Sequence, residues 1–220
     1  GKSSLAERLK QLMENSEIHV LVAGDEISPV LESPLGLFSS YKKELGEEYG
    51  ILGRYVPSCA SPWATKRLDE FGGDISKFSV RKVKLSIASQ IGISKTEPGD
   101  ENNQDISALV GKVDIRQLAE YSQDDADAYS YSGALCKSNQ GLMEFVEMFK
   151  APIKVLHPLL TATQEGNFNG TENLPAIPFQ GVILAHSNES EWDVFSNDRK
   201  NEAFLDRVYI VRVPYSLRVT

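Results

Sequence analysis

A short apolar run, Leu142-Met143-Glu144-Phe145-Val146, follows the polar turn Ser138-Asn139-Gln140-Gly141 and ends on Glu147. Its length and its bounding turn residues predict a buried strand of a parallel sheet. Ligands of open α/β sheets gather at the carboxyl ends of strands, so Glu147 is expected to face a binding crevice. The run from Gly181 to Asn188 predicts a second buried strand ending in polar residues. Ile18 to Val22 predicts a strand that stops at Ala23-Gly24, and Val208 to Val213 a final one. His19, inside an apolar run, is read as a core or edge residue rather than a ligand.

Helical spacing governs much of the rest. Leu5, Leu9, Leu12 and Met13 mark an amphipathic helix. Ser33-Pro34 opens another that runs to Glu48, with Pro just inside its start. Ser61-Pro62-Trp63 begins a helix to Phe71, and Gly72-Gly73 closes it. Asp114 to Tyr121 has a helix start with Ile115 and Leu118 apolar. Val155 to Gln164 is helical, ended by Glu165-Gly166 in the manner of a glycine C-cap. Asn201 to Arg207 predicts a short helix, and residues 167–179 a hairpin or loop. The polar, acidic stretch from Ser94 to Asp105 is expected to be a loop or insertion. Ser122 to Asp127 is an acidic turn whose spacing does not fit an EF-hand.

The 220 residues and 41% hydrophobic content suit one domain with a real core, spanning 1–220 without internal repeats. A net charge of −8 argues against a nucleic-acid partner. Cys59 and Cys136 are too far apart for a metal-type spacing. No apolar run is long enough to span a bilayer and no secretory segment is visible, so no membrane partner and a cytoplasmic location are expected.

Candidate chemistry begins at Gly1-Lys2-Ser3-Ser4, directly before the first amphipathic helix. This is the second half of the phosphate-loop pattern G-x-x-x-x-G-K-[ST]. Backbone N–H groups of Gly1 to Ser4 would hold phosphate oxygens, Lys2 would reach the β- and γ-phosphates, and the Ser3 hydroxyl would ligate Mg²⁺. The first half of the pattern is absent, which suggests a chain cut inside the loop and lacking the strand before it.

These pieces, in this order, resemble a AAA+ ATPase core. Gly1-Lys2-Ser3 resembles the end of its phosphate loop and Gly141 to Glu147 its acidic strand motif. Leu159 to Gly166 resembles the helix that follows, Ile183 to Asn188 the sensor strand, and Phe204 to Arg207 the arginine-finger segment. Leu109 to Ile115, Ser132 to Leu135 and Asn139 to Gly141 are similar to magnesium-chelatase-like members. The wording of Lys95 to Asp105, Glu144 to Pro152, Ala185 to Trp192 and Asn201 to Arg207 is similar to the PrkA family of bacterial serine protein kinases. The resemblance implies an α/β P-loop NTPase fold, a parallel sheet flanked by helices, without its first strand and C-terminal lid. It implies ATP and Mg²⁺ as cofactors, a protein substrate or client, and a homo-oligomeric ring. It also assigns Glu147 to polarising water, Asn188 to sensing the γ-phosphate and Arg207 to a neighbouring subunit's site.

The acidic strand departs from the AAA+ pattern in one respect. Val146 stands where an Asp would assist the metal, leaving Glu144, on the same strand face, as the candidate to serve it through water. An ATP-hydrolysing switch is therefore expected. A nucleotide-gated scaffold with weak hydrolysis, or phosphoryl transfer to protein serine by a region outside this window, are the alternatives. No H-R-D or D-F-G motif appears in the 220 residues.

Overall fold

A computed structural model describes residues 1–97 and 105–214 of the chain. Helix α1 (Lys2–Met13) leads into strand β1 (Glu17–Ala23) and its hairpin partner β2 (Glu26–Ile27). The helix expected from residue 34 forms in two parts. A 3-10 segment, Pro34–Tyr41, kinks at Phe38, and α2 (Lys42–Tyr49) follows. Gly36, Ser39 and Ser40 are weak helix formers, so tertiary contact decides the path there. Helix α3 (Pro62–Glu70) starts as the sequence predicts, with Ser61 Oγ accepting a bond from the Ala64 N–H at 3.1 Å. Strands β3 (Phe78–Lys84) and β4 (Ile93–Thr96), helix α4 (Ser107–Val110) and strands β5 (Lys112–Val113) and β6 (Tyr129–Ser130) come next. Helix α5 (Ala134–Lys137) then precedes strand β7 (Leu142–Val146). The remainder holds α6 (Ile153–Glu165), the hairpin of β8 (Asn167–Phe168) and β9 (Ile177–Pro178), β10 (Val182–His186), α7 (Glu189–Asn197) and α8 (Glu202–Leu205).

The apolar run at 142–146 is the middle strand of a parallel sheet, order β10-β7-β4. Leu142 stands opposite Ile93 on one side and Val182 on the other. Alternation sends Met143 and Phe145 into the main core, where α6 contributes Leu156, Leu159 and Ala162. Glu144 points to the other face, under α1. A separate antiparallel sheet, order β2-β1-β3, contains the Ile18 to Val22 run.

Four expectations give way. Ile93–Thr96 is a strand rather than loop, because Ile93 and Ser94 are both buried and Ser94 Oγ donates to the Ala134 carbonyl at 2.9 Å. The loop expected farther along includes residues 98–104, which lie outside the described residues. Val208 to Val213 is not a strand. Among the described residues it has no ladder partner, and Tyr209 and Val211 are exposed. Residues 114–121 form only a 3-10 turn, Ile115–Ala119. In α1 the leucines face outward, Leu12 being 78% exposed, while Ala6 and Lys10 are buried. Small Ala6 allows the helix to lie close to the sheet, and Lys10 is tolerated because it finds a counter-ion there.

Two buried polar clusters fix the sheets. Asn139 sits at the entry to β7 with 1% exposure. Its Nδ2 donates to the carbonyls of Val30 and Pro178 at 2.9 and 3.1 Å, and its Oδ1 accepts from the N–H groups of Gln140 and Gln180 at 3.0 and 2.8 Å. Gln140 continues the join, its Nε2 donating to the carbonyls of His19 and Leu31. The antiparallel sheet is thereby tied to the parallel one. Gly141 is required beside it, since a Cβ there would lie 1.7 Å from the Gly92 carbonyl oxygen. That oxygen must stay close because it accepts the Leu142 N–H at 2.8 Å.

The second cluster joins α1, β7 and β10. Lys10 and Glu144 are 4% and 3% exposed. Lys10 Nζ lies 2.7 Å from Glu144 Oε2, and His186 Nε2 lies 3.1 Å from Oε1. Glu7 adds a further carboxylate 2.9 Å from Lys10. Burial by itself raises the Glu144 carboxyl, but Lys10 and His186 outweigh it and hold it below the ordinary value. Burial likewise lowers Lys10, and Glu144 and Glu7 outweigh that and hold it above its ordinary value.

Replacing Asn139 by Leu is expected to cost more than about 3 kcal/mol, since each orphaned buried group costs roughly 1–3 kcal/mol. Urea unfolding measures it, and a change within error would contradict the clamp. Lys10→Met should cost about 3–5 kcal/mol by stranding the Glu144 charge, while Lys10→Met with Glu144→Leu should recover most of the loss. Glu144 is depressed in the folded chain, so its contribution is full above the unfolded carboxyl range and disappears as pH falls through the folded value. Lys10 is raised, so its contribution disappears as pH rises through its folded value. Thermal melts of wild type and Lys10→Met across pH should therefore differ most near neutrality and converge in acid.

Candidate functional site

The amino end of α1 and the carboxyl ends of β7 and β10 meet at one edge of the parallel sheet. The buried Lys10–Glu144–His186 cluster sets this meeting, because it fixes which turn of α1 lies over β10. Gly1, Lys2, Ser3 and Ser4 are exposed at the helix start. The N–H groups of a helix's first turn have no main-chain partner within the helix, which leaves those of Lys2 to Ser4 available, while the Gly1 nitrogen donates to Ser4 Oγ at 3.4 Å. Lys2 Nζ donates to the Ser187 carbonyl, the first residue past β10.

His186 stands opposite Val146 in the register, so Ser187 and Glu147 leave their strands side by side. Glu147 has left-handed backbone angles, φ 50° and ψ 45°, and turns the chain into the 3-10 segment Met148–Lys150. Its side chain is 45% exposed, with Oε2 2.5 Å from Lys150 Nζ. Lys150 also lies 3.3 Å from Glu191 Oε1, and Glu191 Oε2 accepts from Ser187 Oγ at 2.7 Å. Burial raises the Glu191 carboxyl, but Ser187 and Lys150 hold it below its usual range. Lys150 is raised by Glu147 first and Glu191 second.

Asn188 is the N-cap of α7, its Oδ1 accepting from the Glu191 N–H and the Ser190 hydroxyl, each at 2.8 Å. Arg207 is exposed just after α8, where a guanidinium nitrogen donates to the Ala203 carbonyl. Aromatic packing connects these parts. Phe149 lies 4.4 Å from Phe195 and 5.3 Å from Trp192 between ring centroids, and Phe195 lies 5.6 Å from Phe204.

Of the residues proposed from sequence, Lys2, Glu147 and Asn188 are brought together, with Ser3 one residue from Lys2. Glu144 is one alternation back, enclosed by Lys10 and His186. Arg207 is on a separate outward-facing element. Among the described residues no three His, Cys, Asp or Glu side chains converge on a metal position. The donor set instead suits a hard cation carried by phosphate, with the Ser3 hydroxyl as an oxygen ligand and Lys2 as a phosphate partner. Lys10, His186, Lys150 and Glu191 are missing from the sequence-derived set. Glu191 carries a readable signal, because Asn188-Glu189-Ser190-Glu191 has the spacing of a helix cap with an acid three residues on. Lys10 and His186 have none, because their shared partner Glu144 lies on another element, and Lys150 meets Glu147 only through the turn between them.

The full span, residues 1–220, matches the family model described as PrkA AAA domain. The chain is 68% identical over 222 residues to the serine/threonine kinase YeaG of Escherichia coli (strain K12), covering 100% of this chain and 34% of that protein. It is 36% identical over 229 residues to the ATP-dependent protease PrkA of Bacillus subtilis (strain 168), covering 100% of this chain and 35% of that one. It thus spans about a third of the length of these curated relatives. Among solved structures, the BchI–BchD complex of magnesium chelatase aligns at a TM-score of 0.38 and 17% identity, over 50% of this chain and 30% of that one. With the family model matched from the first residue to the last, the chain belongs to the PrkA AAA domain family.

Proposed function

We propose that this domain binds Mg·ATP at Gly1 to Ser4 and hydrolyses it, and that hydrolysis switches the conformation of a homo-oligomeric ring acting on a protein client. The observation that carries this is the convergence of Lys2, Glu147 and the Ser187-Asn188 corner at the carboxyl ends of β7 and β10. Lys2 neutralises phosphate charge, and the free N–H groups of the α1 start supply further donors. Ser3 offers the hydroxyl for the cation, whose role when bound is to offset charge on the phosphate oxygens. Glu147, exposed and outside the ladder, orients and polarises water. Asn188 reads the γ-phosphate from the neighbouring strand end. Glu144, closed off by Lys10 and His186, acts on the metal side by anchoring α1 and reaches a cation only through water. Arg207, turned outward, serves the site of the next subunit.

Phosphoryl transfer to protein serine is the second reading, favoured by the kinase name of the relative at 68% identity. The other relative is named a protease, and the chain spans about a third of either, so these outputs are assigned to the whole polypeptide rather than to this site.

In the full-length polypeptide, Lys2→Ala should abolish binding of a fluorescent ATP analogue, and unchanged affinity would remove the phosphate-loop assignment. Glu147→Gln should keep that affinity and slow phosphate release by about 10²–10⁴. Arg207→Ala should lower hydrolysis by about 10³–10⁵ while sparing affinity. Mixing Arg207→Ala with Lys2→Ala subunits should restore activity, because an intact site can then face an intact arginine. No recovery in mixtures that co-assemble would assign Arg207 to the surface alone.

A further inference from the structure

Lys150 belongs to none of the motifs that point to ATP, yet it lies at the centre of the site's polar contacts. Its ammonium is held between two carboxylates, 2.5 Å from Glu147 and 3.3 Å from Glu191. Glu191 continues to the Ser187 hydroxyl at 2.7 Å, and the Ser187 carbonyl accepts from Lys2. An unbroken series of polar contacts therefore runs from Lys2 to Glu147, with Lys150 as its cationic bridge.

Stability does not account for such a bridge. Both Lys150 and Glu147 are nearly half exposed, at 48% and 45%, and ion pairs of that kind contribute little to folding. Geometry accounts for it better. Glu147 is a non-glycine residue with φ 50°, beyond the end of its strand, and its side chain is 45% exposed. Lys150 starts from a firmer base. Its N–H bonds the Glu147 carbonyl at 3.0 Å, and Phe149, between the two, is packed on Phe195 and Trp192 of α7. Glu191, on that same helix and 17% exposed, fixes the far side of the ammonium. The Lys150 head group is thus referenced to α7 and the end of β10, and passes that reference to Glu147. It occupies Oε2 and leaves Oε1 for water.

We propose that Lys150 is a positioning residue for hydrolysis, holding the Glu147 carboxylate in register with Lys2 and the end of β10. This rests on the ATPase reading above. A small misplacement of a catalytic group costs up to about a hundredfold, so Lys150→Met should lower kcat by about tenfold to a hundredfold. Affinity for a fluorescent ATP analogue and the melting temperature should stay at wild-type values. Lys150→Arg should restore most of the rate, since a guanidinium also bridges two carboxylates. Glu191→Gln should give an intermediate loss, because it slackens one end of the bridge.

The measurement is steady-state phosphate release by the full-length polypeptide, with wild type and Glu147→Gln in parallel. A wild type that Glu147→Gln silences but Lys150→Met leaves unchanged or faster overturns the role of Lys150 alone. Weakened analogue binding with kcat intact overturns it too, making Lys150 a phosphate contact. A wild type that releases no phosphate, or one indifferent to Glu147→Gln, overturns the ATPase reading and the assignment of Lys150 with it.

Discussion

The buried contacts of Glu144 with Lys10 and His186 constrain the end of this domain where α1 meets β7 and β10. Charges removed from water are costly unless each is compensated, and here three elements must hold their positions for that to be so. Helix α1 cannot slide along the sheet without stranding a carboxylate, and β7 and β10 cannot shift register without parting Glu144 from His186. The position of Gly1 to Ser4 is thus inherited from a contact two turns farther along the helix. The outward leucines of α1 supply none of this positioning.

The exposed charges obey a different economy. Lys2, Glu191, Lys150 and Glu147 alternate in sign along the strand ends, where water screens them and their contribution to folding is small. What such a row supplies is direction. Two of its members are attached to α7, which Asn188 caps and which Phe195 and Trp192 join to the turn after Glu147. Depth in the structure therefore separates two roles for similar ion pairs, anchoring below the strand ends and aiming at them.

Much of this was legible in the sequence for physical reasons. The run 142–146 declared itself because a central parallel strand is buried on both faces and four of its five residues are apolar, and the helix to residue 165 because Gly166 stops it with φ 69°. Pro62 and Ser61 announced α3. The strand at 93–96 was hidden because its buried Ser94 reads as a loop residue until Ala134 is known to accept its proton. The apolar 208–213 run looked like a strand because sequence shows propensity and not the neighbour a strand requires. Lys2, Glu147 and Asn188 were singled out as candidates by local wording. Lys10, His186 and Lys150 were not, since their partners lie on other elements or beyond a turn whose shape no local pattern announces.

The topology also bears on how quickly the domain can assemble. Leu142 pairs with Ile93 and Val182, and Ala23 with Phe78, so the ladders joining β7 to its neighbours and β1 to β3 link residues forty or more positions apart. Asn139 reaches Val30 across 109 positions. No such ladder can begin from a local turn, and loop-closure entropy must be met before its hydrogen bonds are gained. Refolding should accordingly be slow for a chain of this size, with the junction at Asn139 among the last parts to close.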